Sequence, residues 1–179
     1  MAILPIRTFP DSCLRAPSRS IERMTPHVAR LVDDLIETMR HAPRCVGLAA
    51  CQVGVNVRVA VVDVSGHPKA THSHGLLVLI NPQLTAQGQL LVQREGCLSV
   101  PDLTANVERA SRLHVHALDV TGAPWTHWVE GFEAIAVQHE VDHLAGKLFL
   151  DRVANVRTDL FRRKRYGFPP GEAPGRRSV

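Results

Sequence analysis

The sequence of 179 residues has no hydrophobic run long enough to span a membrane. The stretch LLVLI, from Leu76 to Ile80, has only the length of a single strand. The sequence also has no internal repeats, and its first residues lack the charged, apolar and small-residue pattern of a secretory signal. These absences exclude a membrane-spanning protein and a repeat protein, and we expect a cytoplasmic location.

Cysteine is scarce, and the four residues present are Cys13, Cys45, Cys51 and Cys97. In a chain of this size without an export signal, a metal-binding cysteine is a stronger expectation than a disulfide. Hydrophobic residues make up 45% of the chain and charged residues 21%, which is an ordinary globular composition. We predict a single domain at residues 1–168 and a disordered tail, rich in proline and glycine, at residues 169–179.

Positive charge is concentrated at the end of the chain. From Arg152 onward there are eight Lys or Arg residues and two acidic residues, while the whole chain has a net charge of +4. Such an asymmetry indicates a polyanionic partner for the C-terminal region. A solvated helix face followed by a loose end explains the same charge distribution equally well.

Three segments have the pattern of helices. TPHVARLVDDLIETMR begins at a capping Thr25 and Pro26, and its apolar residues repeat at helical spacing, which predicts a helix packed on the core. A second helix is predicted at about residues 132–144, with Gly146 as its C-terminal stop. A third helix, basic on much of its surface, is predicted at about residues 156–164 and should dock through Leu160 and Phe161.

Five short segments rich in β-branched residues have the pattern of strands. They are residues 57–64, 76–82, 90–100, 112–120 and 125–131, and each is bounded by Gly, Pro, Asn or Asp. Strands bracketed by helices, with one core helix late in the chain, indicate an α+β fold. We predict antiparallel sheets packed around that late helix, with an N-terminal core helix and a basic C-terminal helix.

The predicted late helix contains QHEVDHLAG, in which His139 and His143 are four residues apart. Residues i and i+4 lie on one face of a helix, so both imidazoles can bind one metal ion. Glu140 is rotated from His139 by about 100° around the helix. It is therefore placed to act as a general base on water at the metal rather than as a third ligand. Two core histidines satisfied by their neighbours, without a metal, remain the alternative.

A third ligand must come from earlier in the chain, because no histidine follows His143. The segment EGCLSVP offers Cys97 at the end of a predicted strand. One thiolate and two imidazoles leave a fourth position for water, which is the pattern of a catalytic site. A structural site would be closed by a fourth protein ligand, for which Cys45 and Cys51 are candidates.

Three segments together resemble the motifs of the bacterial peptide deformylases. They are CVGLAACQVG at residues 45–54, EGCLS at residues 95–99 and QHEVDHLAG at residues 138–146, in the family's order and approximate spacing. The opening ILPIRTFPDSCLR is also similar to the family's N-terminal stretch, so the resemblance covers residues 3–153. It implies a metal-dependent hydrolase that removes the N-formyl group from the formyl-methionine of nascent polypeptides and releases formate.

The resemblance implies a role in the reaction for six residues. The metal ligands would be Cys97, His139 and His143. They would bind one divalent ion, Fe²⁺ in the cell, which Zn²⁺ or Ni²⁺ can replace. Water on the metal would attack the formyl carbon, and Glu140 would take its proton and later deliver it to the departing amine. Gln52 and the backbone N–H of Leu98 would stabilise the oxyanion that forms.

The resemblance also implies which residues contact substrate and partner. The peptide backbone would pair with Val46, Gly47 and Gly96. The methionine side chain would lie in a pocket involving Glu95, Phe132, Ile135 and Ala136. In the family the glutamate of this pocket forms a buried ion pair, here with Arg109. The ribosome would be contacted by basic residues of the C-terminal helix, namely Arg157, Arg162, Arg163, Lys164 and Arg165.

Three positions depart from the pattern of the deformylases. Cys45 stands where the family usually has glycine, and Cys51 stands where proline or threonine is common. We expect Cys45 to narrow the cleft, and we expect the two extra thiols to increase sensitivity to peroxide. Thr104 replaces an arginine that some bacterial members use near the far end of the substrate, so the peptide preference should differ.

Two other functions would use some of the same residues. A zinc-type peptidase or amidase would share the three ligands, but it would leave Gln52 and the EGCLS segment without a role. A non-catalytic nucleic-acid-binding protein would bind through the basic tail and would have a structural metal. A closed shell of four protein ligands is the feature that would identify that second alternative.

Overall fold

The structure is a computed structural model that describes residues 2–163. Its helices are α1 (Pro26–His41), α2 (Gly131–Leu144) and α3 (Val156–Asp159). Its strands are β1 (Gly47–Ala49), β2 (Val59–Val62), β3 (Leu77–Cys97), β4 (Val100–Leu118), β5 (Pro124–Glu130) and β6 (Leu160–Arg162). Short 3-10 turns are at Ser12–Leu14, Ala50–Val53 and Phe149–Arg152. Within the described residues no helix is both long enough and apolar enough to cross a bilayer.

Helix α1 begins where the sequence predicts. The hydroxyl of Thr25 accepts a hydrogen bond from the backbone N–H of Val28 at 3.3 Å, and Pro26 occupies the first turn. One apolar stripe of the helix is buried, and it includes Val28, Leu31, Val32, Leu35 and Met39. That stripe packs on β1 and β2 and closes one side of the core.

The strands form one antiparallel sheet in the order β1-β2-β3-β4-β5, and β6 pairs with β4 as a sixth strand within residues 2–163. The predicted strand 76–82 and most of the predicted strand 90–100 belong to the single strand β3, so treating them as separate was wrong; β3 ends at Cys97, and Val100 already begins β4. Strand β3 stays continuous through register shifts between Ile80 and Gln83 and between Gln87 and Leu90. The partner strand β4 begins at Val100, whereas the sequence pattern predicted that this strand starts at residue 112.

Helix α2 lies against the sheet, in contact with β1, β2, β4 and β5. It spans the predicted segment to within one residue at its start. Gly146 follows it with φ of 72°, and a Cβ there would lie 2.5 Å from the carbonyl oxygen of Arg15. Glycine at this position therefore both permits the left-handed turn and allows the N-terminal segment to approach the helix end.

The predicted C-terminal helix is wrong beyond Asp159. Helix α3 is a single turn of four residues, and the chain then becomes strand β6. In β6, Leu160 pairs with Ala105 and Phe161 pairs with Thr104, so both docking residues contact the sheet from a strand. An exposed edge of β4 favours pairing with any extended segment nearby, which outweighs the modest helical pattern. Lys164, Arg165 and the predicted tail at 169–179 lie outside the described residues.

Candidate metal centre

Cys97, His139 and His143 come together where β3 ends against α2. Cys97 is the last residue of β3, and the two histidines are one turn apart on α2. Their potential ligand atoms all lie within 4.8 Å of one another, and the sulfur of Cys97 is 3.2 Å from Nε2 of His143. In the part of the chain that the structure describes, this is the one cluster of three or more candidate metal ligands. The predicted convergence is confirmed.

The donor set fits a divalent transition metal. Burial by itself raises the pKa of the Cys97 thiol, but the charges and hydrogen bonds of His143 and His139 outweigh it and hold that pKa well below its usual range. The thiolate is the form of cysteine that binds a metal. A soft thiolate with two imidazoles suits zinc, iron and nickel better than magnesium or calcium.

His139 is oriented by a chain of buried charges. Its Nδ1 lies 2.7 Å from Oε2 of Glu95, which leaves Nε2 to face Cys97 and His143. Arg109 donates two hydrogen bonds to Glu95, at 2.7 and 3.0 Å, so the expected ion pair is confirmed. Burial raises the pKa of Glu95, but the bonds from His139 and Arg109 prevail and lower it to about 2. Glu95 is therefore ionised and can hold the imidazole.

Glu140 lies beside the three ligands without belonging to their cluster. Its side chain is buried, and within the described residues Oε2 has no hydrogen-bond partner. Burial is the main cause that raises its pKa to about 7; the charges of His139 and His143 oppose this shift, and those of Cys97 and Glu95 add to it. Its carboxylate packs against Gly47, where a Cβ would lie 2.5 Å from Oε1. A carboxylate that titrates near neutrality suits a general base.

Gln52 aims its amide nitrogen at the cysteine end of the centre. Its Oε1 accepts a hydrogen bond from the backbone N–H of Ala49 at 2.9 Å, so the amide orientation is defined. Its Nε2 donates to the hydroxyl of Ser99 at 3.1 Å and lies 3.4 Å from the sulfur of Cys97. Leu98 follows Cys97 directly and lines the same space. The amide nitrogen of Gln52 and residue Leu98 therefore both lie beside the ligands.

A cavity of about 340 Å³ opens beside the metal ligands. Twelve of the fourteen predicted site residues line it, namely Val46, Gly47, Gln52, Glu95, Gly96, Cys97, Leu98, Phe132, Ile135, Ala136, His139 and Glu140. The other two, Arg109 and His143, are not part of the cavity wall, and their side chains are 3% and 1% exposed. Twelve predicted residues therefore form the cavity wall, and the two buried ones contact that wall, Arg109 through Glu95 and His143 through Cys97.

Some residues of the centre were not predicted from the sequence. Asp142 forms an ion pair with Arg109 and binds Arg152 at 2.6 Å, which connects the buried chain of charges to an exposed arginine. Its position between the two histidines was a usable signal, because a carboxylate on the motif helix needs a partner. His67 stacks on Phe132 with ring centres 4.3 Å apart, and no local pattern predicts that contact.

Cys45 and Cys51 do not belong to the ligand cluster. The thiol of Cys45 donates to the carbonyl of Gly47 at 3.1 Å, and that of Cys51 donates to the carbonyl of His143 at 3.4 Å. Burial, followed by the charge of Glu140, raises the pKa of each thiol to about 12. The expected peroxide sensitivity stays a prediction, and these raised pKa values count against it because the thiolate is the reactive form.

Comparison with known proteins agrees with this geometry. The family model for polypeptide deformylase matches residues 3–159. The chain is 43% identical over 164 residues to a peptide deformylase of Alkalilimnicola ehrlichii. The aligned residues make up 92% of this chain and 89% of that protein. It is 44% identical over 165 residues to peptide deformylase 1 of Pseudomonas syringae pv. tomato, with coverage of 92% and 95%.

Solved structures give the same result. The peptide deformylase of Thermotoga maritima superposes with a TM-score of 0.78 at 33% identity, covering 87% of this chain and all of that one. The class I type b enzyme of Acinetobacter baumannii, with Met-Ala-Ser bound, gives a TM-score of 0.79 at 31% identity, covering 85% and 100%. The chain therefore belongs to the polypeptide deformylase family.

Proposed function

We propose that this enzyme hydrolyses the N-formyl group of formyl-methionyl nascent polypeptides in the cytoplasm, releasing formate. The observation that carries the proposal is the meeting of the ligand cluster, Glu140 and Gln52 around one cavity. A peptidase on the same ligands is disfavoured because the family model for polypeptide deformylase matches residues 3–159. A structural metal is disfavoured because neither Cys45 nor Cys51 joins the three ligands.

The ligands we propose are Cys97, His139 and His143. They would hold a single divalent ion, Fe²⁺ in the cell, with Zn²⁺ or Ni²⁺ able to replace it. Bound there, the ion would lower the pKa of water so that a hydroxide nucleophile is available near neutral pH. Glu95 keeps His139 in the required tautomer, and Arg109 keeps Glu95 in place.

Glu140 and Gln52 would act on the reacting atoms. Glu140 takes the proton of the attacking water and returns it to the amine that leaves. The oxygen of the formyl group becomes negatively charged, and the amide of Gln52 and the N–H of Leu98 donate hydrogen bonds to it. Because Ala49 holds the Gln52 carbonyl oxygen, the nitrogen lies on the cysteine side of the centre, and it would exchange its bond to Ser99 or to Cys97 for one to the formyl oxygen.

The peptide would lie along the free edge of β1. Val46 accepts a hydrogen bond from Asp63 next to β2, so the backbone groups of Gly47 point to the opposite side, towards the cavity. Gly47 would pair with the peptide backbone on one side and Gly96 on the other, while Val46, whose carbonyl is bonded to Asp63, would contact the peptide through its side chain. The methionine side chain would enter the pocket of Glu95, Phe132, Ile135 and Ala136. In the Acinetobacter enzyme the bound peptide is Met-Ala-Ser.

Formate release from formyl-Met-Ala-Ser tests the proposal. Purified protein should release formate, a chelator should abolish the release, and Fe²⁺, Ni²⁺ or Zn²⁺ should restore it. The unformylated peptide is the control, and its Met–Ala bond should stay intact. Cleavage of that bond would identify a peptidase, and absence of both reactions in metal-loaded protein would overturn the proposal.

We propose a ribosomal contact for the basic C-terminal region as well. Arg157 and Arg162 are exposed there, whereas Arg163 turns to the cavity and lies against Gly96. The contact would be made by a turn and a strand rather than by the helix that the sequence predicted, and its phosphate contacts should weaken as salt rises. Unchanged co-sedimentation of the Arg157→Gln/Arg162→Gln variant with ribosomes would refute it.

A further inference from the structure

Four cations line the cavity, and three of them are exposed, while Arg163 is half-buried. Arg44 precedes β1, Lys69 lies in the loop between β2 and β3, and Arg94 lies in β3 next to Glu95. We call these three residues the basic rim. Within residues 2–163 none of the three forms an ion pair with a carboxylate. Like charges that converge on one opening without counter-charges create a positive potential there.

Neutral groups hold two of these cations in place. Arg94 donates from Nε to Oδ1 of Asn106 at 2.9 Å, and its guanidinium carbon lies 3.5 Å from the centre of the Phe161 ring. Lys69 donates to Oε1 of Gln93 at 3.4 Å. Such contacts orient a charged group without neutralising it, so the charge remains available to a ligand.

The acidic groups of the cavity lie deeper and do not offset the basic rim. The only carboxylates in the described cavity wall are Glu95 and Glu140, which are 7% and 4% exposed. Glu95 is already bound to Arg109 and His139. The carboxylates of the described wall are thus buried beside the metal ligands, whereas the cations of the basic rim are exposed.

The proposed substrate brings no charge of its own to the reacting end. A formylated amino terminus is a neutral amide, and methionine has a neutral side chain. The electrostatic difference between two formyl-methionyl peptides therefore comes from the residues that follow methionine, and these would lie beside the basic rim.

We infer that the basic rim selects formyl-methionyl peptides with acidic side chains in the positions that follow methionine. The inference rests on the proposed function, because it places the peptide between Gly47 and Gly96. Nucleic-acid phosphate is the other polyanion that such cations attract. It would occupy the rim without any preference among peptides.

Three peptides of equal length test the inference. They are formyl-Met-Ala-Glu, formyl-Met-Ala-Gln and formyl-Met-Ala-Lys, each amidated so that the terminal carboxylate adds no charge. At about 0.02 M salt kcat/KM should be about fivefold higher for the Glu peptide than for the Gln peptide, and lowest for the Lys peptide. At about 0.5 M salt the three values should converge.

Charge reversal at the basic rim gives the second measurement. Lys69→Glu and Arg44→Glu should each lower the Glu-to-Lys ratio of kcat/KM by about fivefold, with the Gln peptide measured on the same variant as the reference. Arg30→Glu is the matched control, since Arg30 is exposed on α1 and does not line the cavity. It should leave the ratio unchanged.

Each remaining outcome has one meaning. If kcat/KM is equal for the three peptides at low salt, the proposed selection is wrong. It is also wrong if the rim variants lower kcat/KM by the same factor for all three peptides. Hydrolysis of none of the three peptides by the metal-loaded enzyme overturns the proposed function instead. If RNA inhibits the enzyme and kcat/KM is equal for the three peptides, the basic rim binds nucleic acid instead.

Discussion

The inner wall of the cavity and its rim are built by different means. On the inner wall, Cys97, His139, Glu95 and Gln52 each have two or more hydrogen-bond or ligand partners and are largely buried. On the rim, Arg44, Lys69 and Arg94 are exposed and come from separate segments. Buried charges require their partners, whereas exposed charges interact weakly and are screened by salt.

This difference separates chemistry from selection. A substitution on the inner wall leaves a buried group unpaired or a reacting group misplaced, so its effect should reach orders of magnitude. A substitution on the rim changes a solvated interaction, so its effect should be small and should depend on salt. Three further substitutions test the contrast.

Replacement of Glu140 by glutamine should have the largest effect. The amide cannot accept a proton, so kcat for formate release should fall by about 10²- to 10⁴-fold. Because Glu140 is not one of the three clustered ligands, the metal-to-protein ratio should stay the same. Metal analysis and steady-state kinetics on one preparation separate the two properties. Loss of the metal together with activity would show that Glu140 is a ligand.

Replacement of Gly47 by alanine should have the next largest effect. The new Cβ would lie 2.5 Å from Oε1 of Glu140, so the carboxylate must move. Displacement of a general base by about 1 Å is expected to lower kcat by about 10²-fold. Gly96→Ala is the comparison elsewhere in the cavity wall, where the Cβ meets the flexible end of Arg163 and, at 3.3 Å, the methyl group of Thr104. If Gly96→Ala were the more damaging of the two, the contact with Glu140 would not be the cause.

Replacement of Cys45 by alanine should have the smallest effect. The thiol now donates to the carbonyl of Gly47, which is the group proposed to bind the peptide backbone. Its removal frees that carbonyl and should lower KM by about threefold with little change in kcat, since a thiol is a weak donor. Cys45→Ser keeps a donor and should leave KM unchanged or raise it. Equal KM values for the two variants would contradict this role.

Local patterns predicted the elements whose signals lie within one segment. Helix α1 has its cap, its proline and its apolar stripe within sixteen residues. Helix α2 holds two ligands at i and i+4, so their common face follows from helix geometry alone. Cys97 was identified because the end of the chain offers no further histidine, and the structure brings its sulfur to the pair.

Long-range pairing decided the features that the sequence did not predict. The segment between residues 82 and 90 has polar and glycine residues typical of a break, yet pairing with β4 keeps β3 continuous. Leu160–Arg162 has no strand pattern of its own and becomes β6 because the edge of β4 is next to it. The partner of Asp142 also depends on where β4 places Arg109.

The sequence by itself determined the chemistry of this protein. A thiolate, two imidazoles one helical turn apart, a carboxylate and an amide are set by residue type and short spacing. Only the tertiary structure decided what surrounds that chemistry. The convergence of Arg44, Lys69 and Arg94 at one opening, and of Glu140 with Gly47, joins segments far apart in the chain. No local pattern encodes such distances, because they depend on how the whole sheet packs against α2.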